Sequence, residues 1–187
     1  PEGSEEDILN GLYKFKTTDA KHKNRVQLMG SGTIFREVIA AAEMLENEWD
    51  VAADIWGVPS FNLLRREGIE TVRWNTLHPT ETPKVPFVTE KLAGSEGPFI
   101  VATDYIRDYP ERIRQYVPGD YYVLGTDGFG RSDSRANLRR HFEVDHNYIA
   151  VAALSQLARR GDIEASVVTK AIEEFGIDAD KLSPLYA

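Results

Sequence analysis

The apolar positions of this chain follow two alternating patterns. Four short runs, residues 26–29, 54–58, 99–103 and 121–124, are rich in β-branched or aromatic side chains and bounded by turn formers, as strands buried on both faces require. Stretches with helical spacing separate them, the order of βαβ units around a parallel sheet. Residues 12–16 instead alternate apolar and charged side chains, the mark of a half-exposed edge strand. This strand is expected to pair antiparallel with 26–29 across the polar loop 17–24.

After Gly32, the residues Ile34, Val38, Ala41, Ala42, Leu45 and Trp49 share one helical face. Asp108, with Pro110 and Glu111 behind it, has the form of a capping-box start, and Pro118-Gly119 closes that segment. Asp145 is placed to cap a helix closed by Gly161, and Asp162 to cap the next, ending at Phe175 before Gly176. The C-terminal third therefore reads as helical. Residues 60–92 form a longer passage than a minimal crossover. Leu63, Leu64 and Gly68 suggest a short helix there, while Pro79, Pro83 and Pro86 impose an extended path, because proline lacks an amide hydrogen and restricts its predecessor. Connections of this length are commonly functional or packed on a neighbour. No internal repeat, low-complexity tract or composition break marks a second domain. Residues 1–187 thus read as one α/β domain, with 1–11 as a linker or arm.

Composition narrows the function. Of 187 residues, 42% are hydrophobic and 28% charged, a mixture that supports a core rather than disorder. The net charge of -8 argues against nucleic acid or an anionic membrane as the main partner and favours small molecules or proteins. With no cysteine, neither disulfide, thiolate nucleophile nor Cys-ligated zinc is available, and the cytoplasm is the expected compartment. No run of 18 apolar residues and no signal-like leader is present. A chain that begins at Pro1 without methionine reads as a piece of a longer polypeptide or a processed one.

Two glycine turns are candidate sites. Gly30-Ser31-Gly32, between a strand and the best helix, can aim backbone amides at an anion, but Phe35 stands where a dinucleotide fingerprint needs its third glycine. Ordinary strand-to-helix turning, which any doubly wound sheet needs, is the preferred reading. The second turn, Gly125 through Gly130, follows the last strand at the carboxyl end, where α/β proteins place their sites. It lacks the Gly-Lys-Ser/Thr ending of a phosphate loop. Asp127, Gly128, Phe129, Arg131 and Ser132 are its candidate docking residues, with Ser134 as a helix cap. Asp104, Arg131 and Arg135 form a candidate polar cluster at this edge without a mated acid/base pair. The histidines His22, His78, His141 and His146 show no metal-ligand spacing. His78, followed by Pro79 in the long passage, is a second candidate docking point. Five tyrosines (105, 109, 116, 121, 122) and three tryptophans (49, 56, 74) are many aromatics for one domain, and besides filling a core they suit a contact with another chain.

The run Leu124-Gly-Thr-Asp-Gly-Phe-Gly-Arg-Ser-Asp-Ser-Arg135, continued by Asn137-Leu-Arg-Arg-His-Phe-Glu-Val-Asp145, resembles the C-terminal domain of the homodimeric bacterial pyruvate dehydrogenase E1 component. Val26-Gln-Leu-Met-Gly-Ser-Gly32, Arg73-Trp-Asn-Thr-Leu-His-Pro79, Glu81-Thr-Pro83, Thr103-Asp-Tyr105, Tyr116-Val-Pro118 and Ile177-Asp-Ala-Asp-Lys181 extend the likeness over almost the whole chain. The resemblance implies a three-layer transketolase-like C-terminal domain: a five-stranded, mostly parallel sheet with one antiparallel edge strand and helices on both faces. It also implies a parent enzyme that decarboxylates pyruvate on thiamine diphosphate and Mg2+ and acetylates the lipoyl group of the E2 acyltransferase. The family's Gly-Asp-Gly cofactor motif has no counterpart, since Thr126-Asp127-Gly128 lacks the leading glycine and no Asn-Asn pair follows. The resemblance therefore assigns no catalytic, cofactor or metal residue here. It implies a supporting domain that contacts the rest of the E1 chain, the second E1 subunit and the E2 acyltransferase or another protein. The alternative is an effector- or anion-binding module at the carboxyl edge of the sheet.

Overall fold

Among the described residues, five strands form one sheet: β1 (Tyr13–Lys16), β2 (Asn24–Gly30), β3 (Val51–Gly57), β4 (Phe99–Ala102) and β5 (Tyr121–Leu124), in the order β1-β3-β2-β4-β5. The computed structural model describes residues 1–18 and 21–187. Asp19 and Ala20, inside the expected loop 17–24, lie outside the described residues. The pairs β3-β2, β2-β4 and β4-β5 are parallel, and β1 runs antiparallel at the edge. The expected mixed sheet is therefore present.

The partner of β1 differs from expectation. It pairs with β3, Tyr13 facing Gly57, and not with β2. Both edges of β2 are already bonded, to β3 and to β4, so a hairpin between β1 and β2 would displace one parallel neighbour. Gly57 lets the strands close up: a Cβ there would run into the Tyr13 ring. β3 also begins three residues earlier than the expected strand, at Val51.

Side chains alternate across the pleat and divide the core into two layers. Val26, Leu28, Ile55, Ile100 and Leu124 face one cluster, which the helices α2 (Phe35–Glu48), α7 (His146–Arg160) and α8 (Ala165–Glu174) complete. Met29, Trp56, Phe99, Val101 and Val123 face the other, covered by α3 (Phe61–Leu77) and α4 (Phe87–Leu92). The stretch before β1 contains the short helix α1 (Glu5–Asn10), closed by Gly11 in the left-handed region, and the buried Leu12.

Three helix expectations need correction. The expected short helix in the long passage is α3, 17 residues long, with Ser60 Oγ accepting the amide of Leu63 as its cap. The segment after Asp108 is only the single turn α5 (Asp108–Glu111) and a 3-10 turn at Arg114–Tyr116. Asp108 makes no capping bond, and Pro118 forces Val117 into an extended conformation that ends the turn. Asp162 does not cap α8. Its carboxylate accepts from Arg160 Nε at 2.7 Å, and Glu164 occupies the N-cap without a side-chain bond. Asp145 does cap α7, accepting the Tyr148 amide at 3.0 Å, and Gly161 closes that helix in the left-handed region.

Candidate functional site at the carboxyl end of the sheet

From β2 the chain crosses to β3 on one side and then returns to β4 on the other. The carboxyl ends of β2 and β4 therefore flank a topological switch point, where open α/β sheets leave a crevice. The Gly30-Ser31-Gly32 turn lies here and is stitched to the end of β4. Ser31 N donates to Ala102 O at 3.4 Å, and Ser31 Oγ and Thr103 Oγ1 share a hydrogen bond of 2.9 Å. Gly32 adopts φ +57°, and a Cβ on it would stand 2.8 Å from Asp104 Oδ1. The carboxylate of Asp104 thus lies over the turn that was the weaker anion candidate, with Thr33 Oγ1 donating to its Oδ2 at 3.2 Å.

The turn after β5 is fastened to the same edge. Thr126 donates through its amide to Tyr105 O (2.9 Å) and through its hydroxyl to Asp104 O (2.8 Å). Asp127 accepts the Arg107 amide at 3.1 Å and pairs with Arg107 Nε at 3.2 Å. Asp127 is therefore a fastener of the turn. Gly128, at φ +106°, lies directly against the carbonyl of Pro184, so the C-terminal tail passes over the turn. Phe129 projects outward with 81% of its surface exposed, and Arg131 and Ser132 are also exposed.

Between this turn and the helix α6 (Arg135–His141) opens a cleft of about 360 Å³. Ser134 caps α6 by accepting the Asn137 amide at 3.3 Å. Ile34, Leu138, Phe142 and Val144 supply the apolar part of its lining, and Arg131, Arg135, Arg139 and Asp104 the charged part. Asp104, Arg131 and Arg135, grouped as a candidate cluster from their positions in sequence, do line one cavity.

Glu37, on the first turn of α2, was not singled out by sequence reasoning. Its carboxylate takes Arg139 Nη1 at 2.7 Å and both the backbone amide and ring Nδ1 of His146, at 3.0 and 2.8 Å. Burial pushes its pKa up, but the hydrogen bonds from His146 and the positive charges of His146 and Arg139 outweigh that, and the net shift is downward. No local signal announces this cluster, because Glu37 lies 102 and 109 positions from Arg139 and His146. His141, on α6, is held below its ordinary pKa by burial first, then by the charges of Arg131 and Lys181, with Glu143 opposing.

The transketolase-like TK C-terminal domain family matches residues 11–145, well over half of the chain. The chain belongs to the transketolase-like C-terminal domain family. It is 54% identical, over its whole length, to the pyruvate dehydrogenase E1 component of Haemophilus influenzae, and 52% identical to that of Escherichia coli K12. It spans about a fifth, 21%, of the length of each of these relatives. A transketolase from Leishmania mexicana superposes on 85% of the chain, and the chain on 20% of that protein, with a TM-score of 0.54 at 16% identity, which shows the shared fold.

In this transketolase-like C-terminal domain the second candidate point lies apart from the cleft. Helix α3 leaves the carboxyl end of β3 and runs back along the sheet, carrying His78 and Pro79 toward the opposite end. The His78 ring stacks on Trp74 with centroids 4.4 Å apart, its Nδ1 bonds Trp74 O at 2.8 Å, and Lys84 Nζ stands 4.1 Å from the Trp74 ring centre. His78 is thus engaged in closing α3, with Pro79 exposed behind it. Among the described residues no helix is long and apolar enough to cross a membrane.

Proposed function

We propose that this chain, 1–187 as one unit, is the C-terminal structural and interaction domain of a pyruvate dehydrogenase E1 component. The parent chain would carry out thiamine-diphosphate-dependent decarboxylation of pyruvate and acetyl transfer to lipoyl-E2 in the cytoplasm, while these residues brace the assembly without reacting. Identity above 50% over the whole chain to two such components supports the parentage. The bracing role is carried by one observation, the apolar surface at the carboxyl end of the sheet. Phe129 is 81% exposed there, and Tyr105, Ile106, Leu185 and Tyr186, each about half exposed or more, sit on the segments bonded to or packed against its turn. Clustered exposed aromatics of this kind mark protein contacts. The rest of the E1 chain and the second E1 subunit are the proposed neighbours, with the E2 acyltransferase as a further one.

The donor set does not suit the magnesium diphosphate that the resemblance implies. Among the described residues no group of three or more His, Cys, Asp and Glu side chains converges, and Asp127, at the turn, is occupied by Arg107. No chemical step is therefore assigned to these residues, and the cofactor is placed in this proposal on other parts of the parent chain. The test is sedimentation of the full E1 chain carrying Phe129→Asp together with Tyr105→Ser. The expected result is a weakened subunit association, by tenfold or more in dissociation constant, with an unchanged unfolding profile for the 187-residue chain. Unaltered assembly would overturn the reading.

A further inference from the structure

The cleft beside α6 has the make-up of a small-ligand site, on observations separate from those that carry the assembly role. Its position at the carboxyl edge near the switch point is where α/β sheets bind ligands, and its 360 Å³ falls in the range of small-molecule pockets, about 300–1,000 Å³. Arg139 is committed to Glu37 at 2.7 Å. Arg131 and Arg135 line the cavity yet take part in no ion pair or side-chain hydrogen bond among the described residues. The carboxylate between them in sequence, Asp133, is turned to the Ser134 amide (2.6 Å) and Asn137 Nδ2 (2.8 Å), and Asp104, also in the lining, accepts from Thr33 Oγ1 at 3.2 Å.

A chain of net charge -8 thus presents two unneutralised guanidinium groups over an apolar floor. The floor is built from Ile34 and Val144, both buried, with Leu138 and Phe142. The guanidinium fork matches carboxylate and phosphate oxygens, and the floor gains from any apolar body that displaces its water.

We propose that this cleft binds a small organic anion, a carboxylate or phosphate ester with an apolar body of about one aromatic ring, its head on Arg131 and Arg135 and its body on Ile34, Leu138 and Phe142.

Titration of the 187-residue chain with phenyl phosphate, phenylacetate and inorganic phosphate, followed by amide chemical shifts, tests this. At least one phenyl anion should give saturable shifts at Thr33, Gly128, Leu138 and Phe142, binding about tenfold or more tightly than inorganic phosphate because the ring is buried. Which of the two binds tells carboxylate from phosphate. Arg131→Ala with Arg135→Ala should weaken that binding at least tenfold while leaving thermal unfolding unchanged, since neither side chain bonds another group among the described residues. Absence of saturable shifts with both phenyl anions at millimolar concentration, or binding indifferent to the double variant, would overturn the proposal. Either result leaves the assembly role standing, because association is measured separately.

Discussion

The indole Nε1 of Trp56 donates to Oε1 of Gln27 at 2.8 Å, across the pairing of β2 with β3. Gln27 is fully buried, and its amide nitrogen donates in turn to Asp54 Oδ2 (3.0 Å) and Glu96 O (2.9 Å), while Arg25 holds Asp54 at 2.6 Å. One amide thus satisfies three groups in the middle of the sheet. Gln27→Leu keeps the approximate volume but strips a partner from each of them, and a buried polar group left alone costs about 1–3 kcal/mol. A loss of about 3 kcal/mol in urea unfolding is expected. A change below about 1 kcal/mol would show that water or neighbouring groups replace the amide.

Glu37 gives the fold an acid limb. Its carboxyl titrates near an ordinary 4.5 when unfolded and lower when folded, where burial raises it less than His146 and Arg139 lower it. A depressed folded value contributes stability above about pH 4.5 and loses it as the pH falls through the folded pKa. Glu37→Gln should therefore cost about 2 kcal/mol near pH 7, where charged hydrogen bonds to Arg139 and His146 are lost, and much less near pH 3. Urea unfolding of both proteins at the two pH values checks this, and a gap that stays constant would contradict it.

The turn after β5 couples to the tail through Gly128. A methyl group there meets the Pro184 carbonyl, and φ +106° is in itself unfavourable for any residue with a Cβ. Gly128→Ala is expected to destabilise by about 1–3 kcal/mol or to lift residues 183–187 off the turn. Faster amide exchange of Tyr186, whose amide bonds Ser183 O at 2.9 Å, would report the second outcome. Unchanged stability and unchanged exchange together would show that the contact with Pro184 carries no constraint.

The sequence reading succeeded where structure is local and failed where it depends on neighbours distant in sequence. Apolar runs located β2, β4 and β5 because those strands are buried on both faces, and Asp145 and Gly161 marked the ends of α7 because caps act within one turn. The partner of β1 was missed because strand pairing depends on which edges remain free, and both edges of β2 are taken. At the site, Asp104, Arg131 and Arg135 were visible as residues following strands. The Glu37 cluster was not, since nothing near position 37 indicates that Arg139 and His146 will arrive there. The tail against Gly128 was invisible for the same reason.

Gly68, in the interior of α3, poses a case in which helix propensity and packing oppose each other. Alanine in a helix interior is favoured over glycine by about 1 kcal/mol. Here, however, a Cβ would stand 2.5 Å from Cζ of Tyr116, whose ring is 4% exposed and wedged in the core layer with Val88, Ile113 and Val117. A rigid buried ring has nowhere to retreat, and overpacking a core costs about 1–3 kcal/mol. Gly68→Ala is therefore expected to lower stability by about 1 kcal/mol or more in spite of its better propensity. Tyr116→Leu in the same chain should recover much of that loss by clearing the space, and the double-variant cycle in urea measures it. If Gly68→Ala instead raised the unfolding midpoint, the ring would have to move freely, and the close approach of α3 to the 3-10 turn at Arg114–Tyr116 would not be what glycine is there to permit.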